Sequence, residues 1–144
     1  MTPTLIGRWQ TRLLMFLIVG IPVTVLFSVP TVAVAGFIIL PIVLVCVVAV
    51  GLALDVVYDR IQQRRWDHDW PVHLQVWAGV LEFVCAGILL LPLWVITAGV
   101  ALLIYPFHYL AVWLLSFAIL QGPIQIILPR WRFTGGRVRS STQR

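Results

Sequence analysis

The chain has no lysine, only two cysteines and three histidines, and just fifteen formally charged side chains among 144 residues. Soluble domains carry about 25% charged residues. A charged content of 10% beside 61% hydrophobic residues cannot cover a water-facing surface, which excludes a soluble globular domain and a disordered chain alike. Cys46 and Cys85 both fall inside apolar runs, where a thiol behaves as a small apolar filler, so neither a disulfide nor a metal is expected. Without a lysine or a preceding strand, Gly135-Gly136 reads as a hinge or turn and not as a phosphate-binding loop.

What remains is membrane-like. Between Arg12 and Asp55 lie 42 residues with no formal charge, and between Glu82 and Arg130 lie 47 with nothing more ionisable than His108. One span needs about 20 apolar residues, so each run accommodates two helices and a turn. The expected fold is an all-α integral membrane protein: a single domain of four transmembrane helices arranged as two hairpins. The spans are placed at about 11–29, 32–58, 73–94 and 100–128, with a loop at 59–72 and a tail at 129–144. Ser28-Val29-Pro30-Thr31 marks the first turn, because proline biases its predecessor away from the helix. Pro92, Thr97 and Gly99 mark the second, and Pro22, Pro41, Pro106 and Pro123 are expected to kink the spans.

The ten arginines set the orientation. Arg8 precedes the first span and Arg12 lies at its start, Arg60, Arg64 and Arg65 lie in the loop, five lie in the tail, and the two outer turns have none. Because arginine-rich segments stay cytoplasmic, both termini and the loop are expected on the cytoplasmic side of the cell membrane. Ala33-Val34-Ala35 resembles a signal-peptide cleavage site, but a second apolar run follows it directly and favours a retained span.

Ionisable groups within spans normally face the bundle interior. Glu82 is level with Gln121 by helical rise, and Asp55 is level with Arg12 and Gln125. His108 enters from the opposite side, roughly 15 Å from Glu82 along the normal, and its neighbours Tyr105 and Tyr109 suggest an interfacial hydrogen-bonding role. No charged partner is expected for Glu82 at its depth. It therefore reads either as a helix-pinning group or as a proton or cation site. Small residues at spacing four, which let backbones approach closely, form stripes at Gly20-Thr24-Ser28, Ala49-Ala53, Ala78-Glu82-Ala86 and Ala118-Gly122.

The loop is dense in polar groups. Helix 2 is expected to run on to about Arg65, and Pro71 to open helix 3 with Asp69 as its cap. Arg64, Arg65, Trp66, Asp67, His68, Asp69 and Trp70 form a candidate cytoplasmic interaction loop in which arginines and acids balance. Asp67, His68, Asp69 and His73 are the alternative, a divalent-metal cluster, although neighbours in sequence seldom point at one centre. In the tail, Arg130, Trp131, Arg132 and Phe133 suit anionic lipid headgroups better than nucleic acid.

No catalytic motif or cofactor is legible. The expected function is a non-enzymatic accessory or assembly protein whose partner is another membrane protein or a second copy. The alternative is a small oligomeric proton- or cation-coupled carrier or channel using Glu82, and the third reading is a membrane enzyme with a metal in the loop.

Overall fold

The computed structural model describes residues 3–35, 37–66, 68–97 and 99–127, with backbone only for residues 30–35 and 101. Within these, every regular element is helical: α1 (Leu5–Met15), a π-helical turn (Phe16–Gly20), α2 (Ile21–Ala35), α3 (Ile39–Arg64), α4 (Val72–Leu89), α5 (Leu91–Ile96), α6 (Val100–Gln121) and α7 (Pro123–Ile127). Four stretches are long and apolar enough to cross a membrane: Leu5–Val29, Ile39–Arg64, Val72–Leu89 and Leu102–Ile127.

Consecutive spans run antiparallel, because partner numbers fall as residue numbers rise. Arg8 meets Gln62 and Arg12 meets Asp55, while Gly20 lies against Leu44 further along the pair. Likewise Gln75 meets Gln121, Gly79 meets Tyr109, and Phe83 meets Tyr105. Thr24 joins the first span to His108 on the fourth. Two apolar clusters complete the core. Val43, Val47, Ala86, Leu90, Tyr105 and Tyr109 unite the second, third and fourth spans, while Met15, Val19, Val23 and Ile124 unite the first with the fourth.

Several boundaries differ from expectation. The first helix begins six residues earlier than placed, at Leu5, where the Thr4 hydroxyl caps it by accepting from the Gly7 N–H at 3.2 Å. The turn expected at Ser28 to Thr31 is helix, and the chain reverses near Phe37 and Ile38. In an apolar solvent, unwinding a whole turn exposes more unpaired backbone than the single hydrogen bond that Pro30 forgoes. Helix 3 stops at Leu89, and Pro92 opens the short α5. Gly99, at φ 81°, then reverses the chain into α6 with its N–H on the Trp94 carbonyl at 2.8 Å. The fourth span breaks at Gly122 before Pro123 and does not run on as one helix. The cap expected from Asp69 is not made: Pro71 is the N-cap and has no side-chain partner, while Asp69 accepts from the Trp70 N–H.

The small-residue stripes are half right. Gly20, Thr24 and Ser28 are buried, as are Glu82 and Ala86, but Ala49, Ala53 and Ala118 are exposed. On α3 the buried face is instead Val43, Val47, Gly51, Asp55, Tyr58 and Gln62, the extension to Arg64 carrying this stripe past the apolar run.

The π turn has a geometric consequence. On an uninterrupted α-helix, residues 12 and 24 would point about 120° apart. A π turn absorbs one extra residue, which reduces the offset to about 20°. Arg12 and Thr24 therefore share the inward face of the first span, roughly 18 Å apart along it.

Candidate functional site

Arg12 is the hub of the bundle. Its Nε donates to Asp55 Oδ2 at 2.9 Å and its Nη2 to Asp55 Oδ1 at 3.1 Å, a two-pronged contact between the planar guanidinium and the carboxylate. Its Nη1 donates to both Glu82 oxygens at 2.9 Å. Three spans are thereby tied at one side chain. Asp55 and Glu82 are 4% and 7% exposed, so each carboxylate needs this partner to remain charged away from water.

The expectation that Glu82 has no charged partner is overturned. Helical rise places Arg12 beside Asp55, as found, but α1 starts six residues early, so Arg12 lies deeper than counted and the same guanidinium also reaches Glu82 on the third span. Gln121, expected level with Glu82, is exposed and donates to Gln75 at 3.3 Å. Gln125, expected near Asp55, donates to the Leu120 carbonyl and to Gln121.

Glycine makes the hub possible. A Cβ at Gly51 would overlap the Arg12 guanidinium, and a Cβ at Gly79 would overlap the Trp113 indole. One turn beyond Arg12, Arg8 donates to Gln62 Oε1 at 2.7 Å and lies 4.3 Å from the centre of the Trp70 ring. Gln62 in turn donates to the His68 carbonyl at 2.8 Å, and Trp70 packs on Tyr58, ring centroids 5.5 Å apart. The loop is thus fastened to the first span. Arg8, Arg12, Asp55 and Glu82 together are formally neutral.

His108, expected as a hydrogen-bonding residue near the outer interface, has a partner inside the bundle. It is 1% exposed, its Nε2 is 2.8 Å from Thr24 Oγ1, and Phe27 meets its ring edge-on at 5.7 Å. Two phenols occupy the space between the third and fourth spans. Tyr105 donates to the Phe83 carbonyl at 2.6 Å and Tyr109 to the Gly79 carbonyl at 2.8 Å.

A cavity of about 230 Å³ runs through the middle of this arrangement. Arg8 and Trp70 line one end, Arg12, Asp55 and Glu82 its wall, and His108 its depth. The remaining lining is aromatic and apolar, with Met15, Phe16, Trp113 and Phe117 among it.

In the loop, Arg64, Trp66 and His68 are exposed, Arg65, Asp69 and Trp70 are partly buried, and Asp67 lies outside the described residues. His73 is exposed on the first turn of α4. Among the described residues, no group of three His, Cys, Asp or Glu side chains stands close enough to hold a metal. The tail residues Arg130, Trp131, Arg132 and Phe133 also lie outside the described residues.

Sequence reasoning missed Thr24 as the partner of His108, and it missed the roles of Gly51 and Gly79. A signal was present: each glycine stands one helical turn before a buried acid, Gly51 making room for the acids' partner Arg12 and Gly79 for the Trp113 indole. Comparison of the chain with protein-family models, with curated proteins and with solved structures yields no match.

Proposed function

We propose that the chain is a non-enzymatic multi-pass protein of the cell membrane that serves as an accessory or assembly factor. In this reading both termini and the loop at 59–72 are cytoplasmic. The loop meets a partner membrane protein or a second copy, while Arg130, Trp131, Arg132 and Phe133 engage anionic headgroups. The observation that carries it is the bidding of both intramembrane carboxylates by one guanidinium, at 2.9 Å to each. Charges so matched fasten three helices into a stable platform and are poorly suited to exchanging ions.

The test is reconstitution in liposomes containing a pH-sensitive dye, under an imposed potential. The expected result is no proton flux above that of empty vesicles, with a partner or second copy recovered on purification in mild detergent. Flux that disappears in Glu82→Gln overturns this reading in favour of the second one, a proton- or cation-coupled carrier. The cavity that reaches Glu82 is the observation favouring that alternative. Orientation is tested separately by labelling Ser140→Cys in a chain with the native thiols replaced, and labelling from the outer side overturns it.

A further inference from the structure

We propose that the central cavity is a hydrated, one-sided vestibule that delivers solvent protons from the loop end to His108. This goes beyond the accessory reading and does not depend on it.

Arg8 Nε and His108 Nδ1 are both buried without a protein partner, and both residues line the same cavity, Arg8 at the loop end and His108 at its depth. Buried polar atoms are normally hydrogen-bonded to protein or to ordered water. Water takes a liquid volume of about 30 Å³ per molecule, so a space of about 230 Å³ holds several. Buried water requires two to four polar contacts, and Arg12, Asp55, Glu82, Gln75 and Ser116 are the polar side chains of the wall that can supply them.

The π turn shapes the wall of the same cavity. It brings Thr24 into phase with Arg12, so that the first span presents polar groups to the cavity at both levels. Such turns concentrate at functional sites. Thr24 holds Nε2, which leaves Nδ1 as the ring nitrogen without a protein partner. Protonation there moves one proton from hydronium onto Nδ1, giving an imidazolium and a water molecule.

The titratable and charged groups facing the cavity are Arg8 and Arg12 on the first span, Asp55 and Tyr58 on the second, Glu82 on the third, and His108 and Tyr109 on the fourth. Around His108 itself, α2 contributes Thr24 and Phe27 and no charge. Val43, Leu90 and Tyr105 pack tightly beyond the cavity and close its far end. The vestibule therefore admits protons without conducting them across.

Two measurements on the full chain in phosphatidylcholine and phosphatidylglycerol nanodiscs test this, with Cys46 and Cys85 replaced by alanine. Ser116 lines the cavity and its neighbour Leu115 is exposed on the outer face. A charged thiosulfonate reagent is expected to label Ser116→Cys at least about tenfold faster than Leu115→Cys, since only a hydrated thiol ionises readily. Equal, slow labelling at both positions overturns the hydration. In ¹⁵N-histidine spectra of the His68→Gln, His73→Gln chain, the single remaining ring, His108, is expected to exchange with D₂O within minutes and to shift as pH is lowered stepwise from about 7 to about 3. Rapid exchange without any shift overturns proton binding, and exchange slower than hours overturns water access. The Ser116 measurement leaves His108 intact, so it stands even where histidine variants fold poorly.

Discussion

The Arg12 guanidinium lies where a side chain at Gly51 would begin. The absence of a Cβ on α3 is thus part of the ion-pair geometry, for it lets the guanidinium lie flat between Asp55 and Glu82. Gly51→Ala is expected to destabilise the fold by about 1–3 kcal/mol through overpacking, because the displaced group is pinned by two carboxylates. Gly87→Ala, whose added Cβ would lie 3.3 Å from Trp94, is expected to be milder. Thermal unfolding in detergent distinguishes the two, and an unaffected Gly51→Ala would remove the glycine from the argument.

Removing Arg12 strands two buried acids. Arg12→Met is expected to cost about 3–5 kcal/mol or to prevent folding. Arg12→Lys should restore little, since an ammonium cannot reproduce the planar fork. Adding Asp55→Asn and Glu82→Gln to Arg12→Met should recover much of the loss, because no charge is then left unpaired. Equal instability of the single and triple variants, read from unfolding in detergent, would show that the charges are not the issue.

The π turn yields a counterintuitive expectation. Deleting Ile18, which is exposed within that turn, removes the extra residue and leaves Arg12 and Thr24 in phase on an ordinary α-helix. The deletion is expected to fold with nearly unchanged stability. Inserting an alanine after Ile18 should be strongly destabilising, because it rotates Arg12 and Thr24 apart by about 100°. Helicity and unfolding temperature of the two variants check the contrast, and a failure confined to the deletion would sink it.

Polar contacts of the fourth span can be probed singly. Tyr109→Phe loses the bond to the Gly79 carbonyl and is expected to cost about 0.5–1.5 kcal/mol. Thr24→Val leaves His108 Nε2 without its partner and should cost more, about 1–3 kcal/mol. Unfolding of both variants under one condition ranks them, and the reverse order would contradict the burial of His108.

Much of this architecture is legible from runs of uncharged residues: four apolar helices, with Asp55 and Glu82 turned inward. Depth counting even found Arg12 beside Asp55. It failed at Glu82 because the first helix begins at Leu5 and not at 11, which carries Arg12 deeper along the bundle than counted and within reach of Glu82 as well as Asp55. Pro30 misled for a related reason. A proline's cost depends on the solvent that would receive the unwound backbone, and local sequence does not state that solvent. The π turn has no marker in composition at all. It is visible only when the inward phase of Arg12 is compared with that of Thr24, which requires knowing that both have partners.

Tyr105 and Tyr109 bear on the cavity in another way. Their hydroxyls rest on carbonyls of α4 one helical turn apart, so the third and fourth spans are propped at the length of a phenol. Props of fixed length keep the gap from collapsing under lateral pressure, and no occupant is needed to hold it. Entry of a small molecule then requires no parting of helices. On the proposal that the cavity is hydrated, exchange of its water with the loop end is paced by diffusion past Arg8 and Trp70 and not by motion of the bundle.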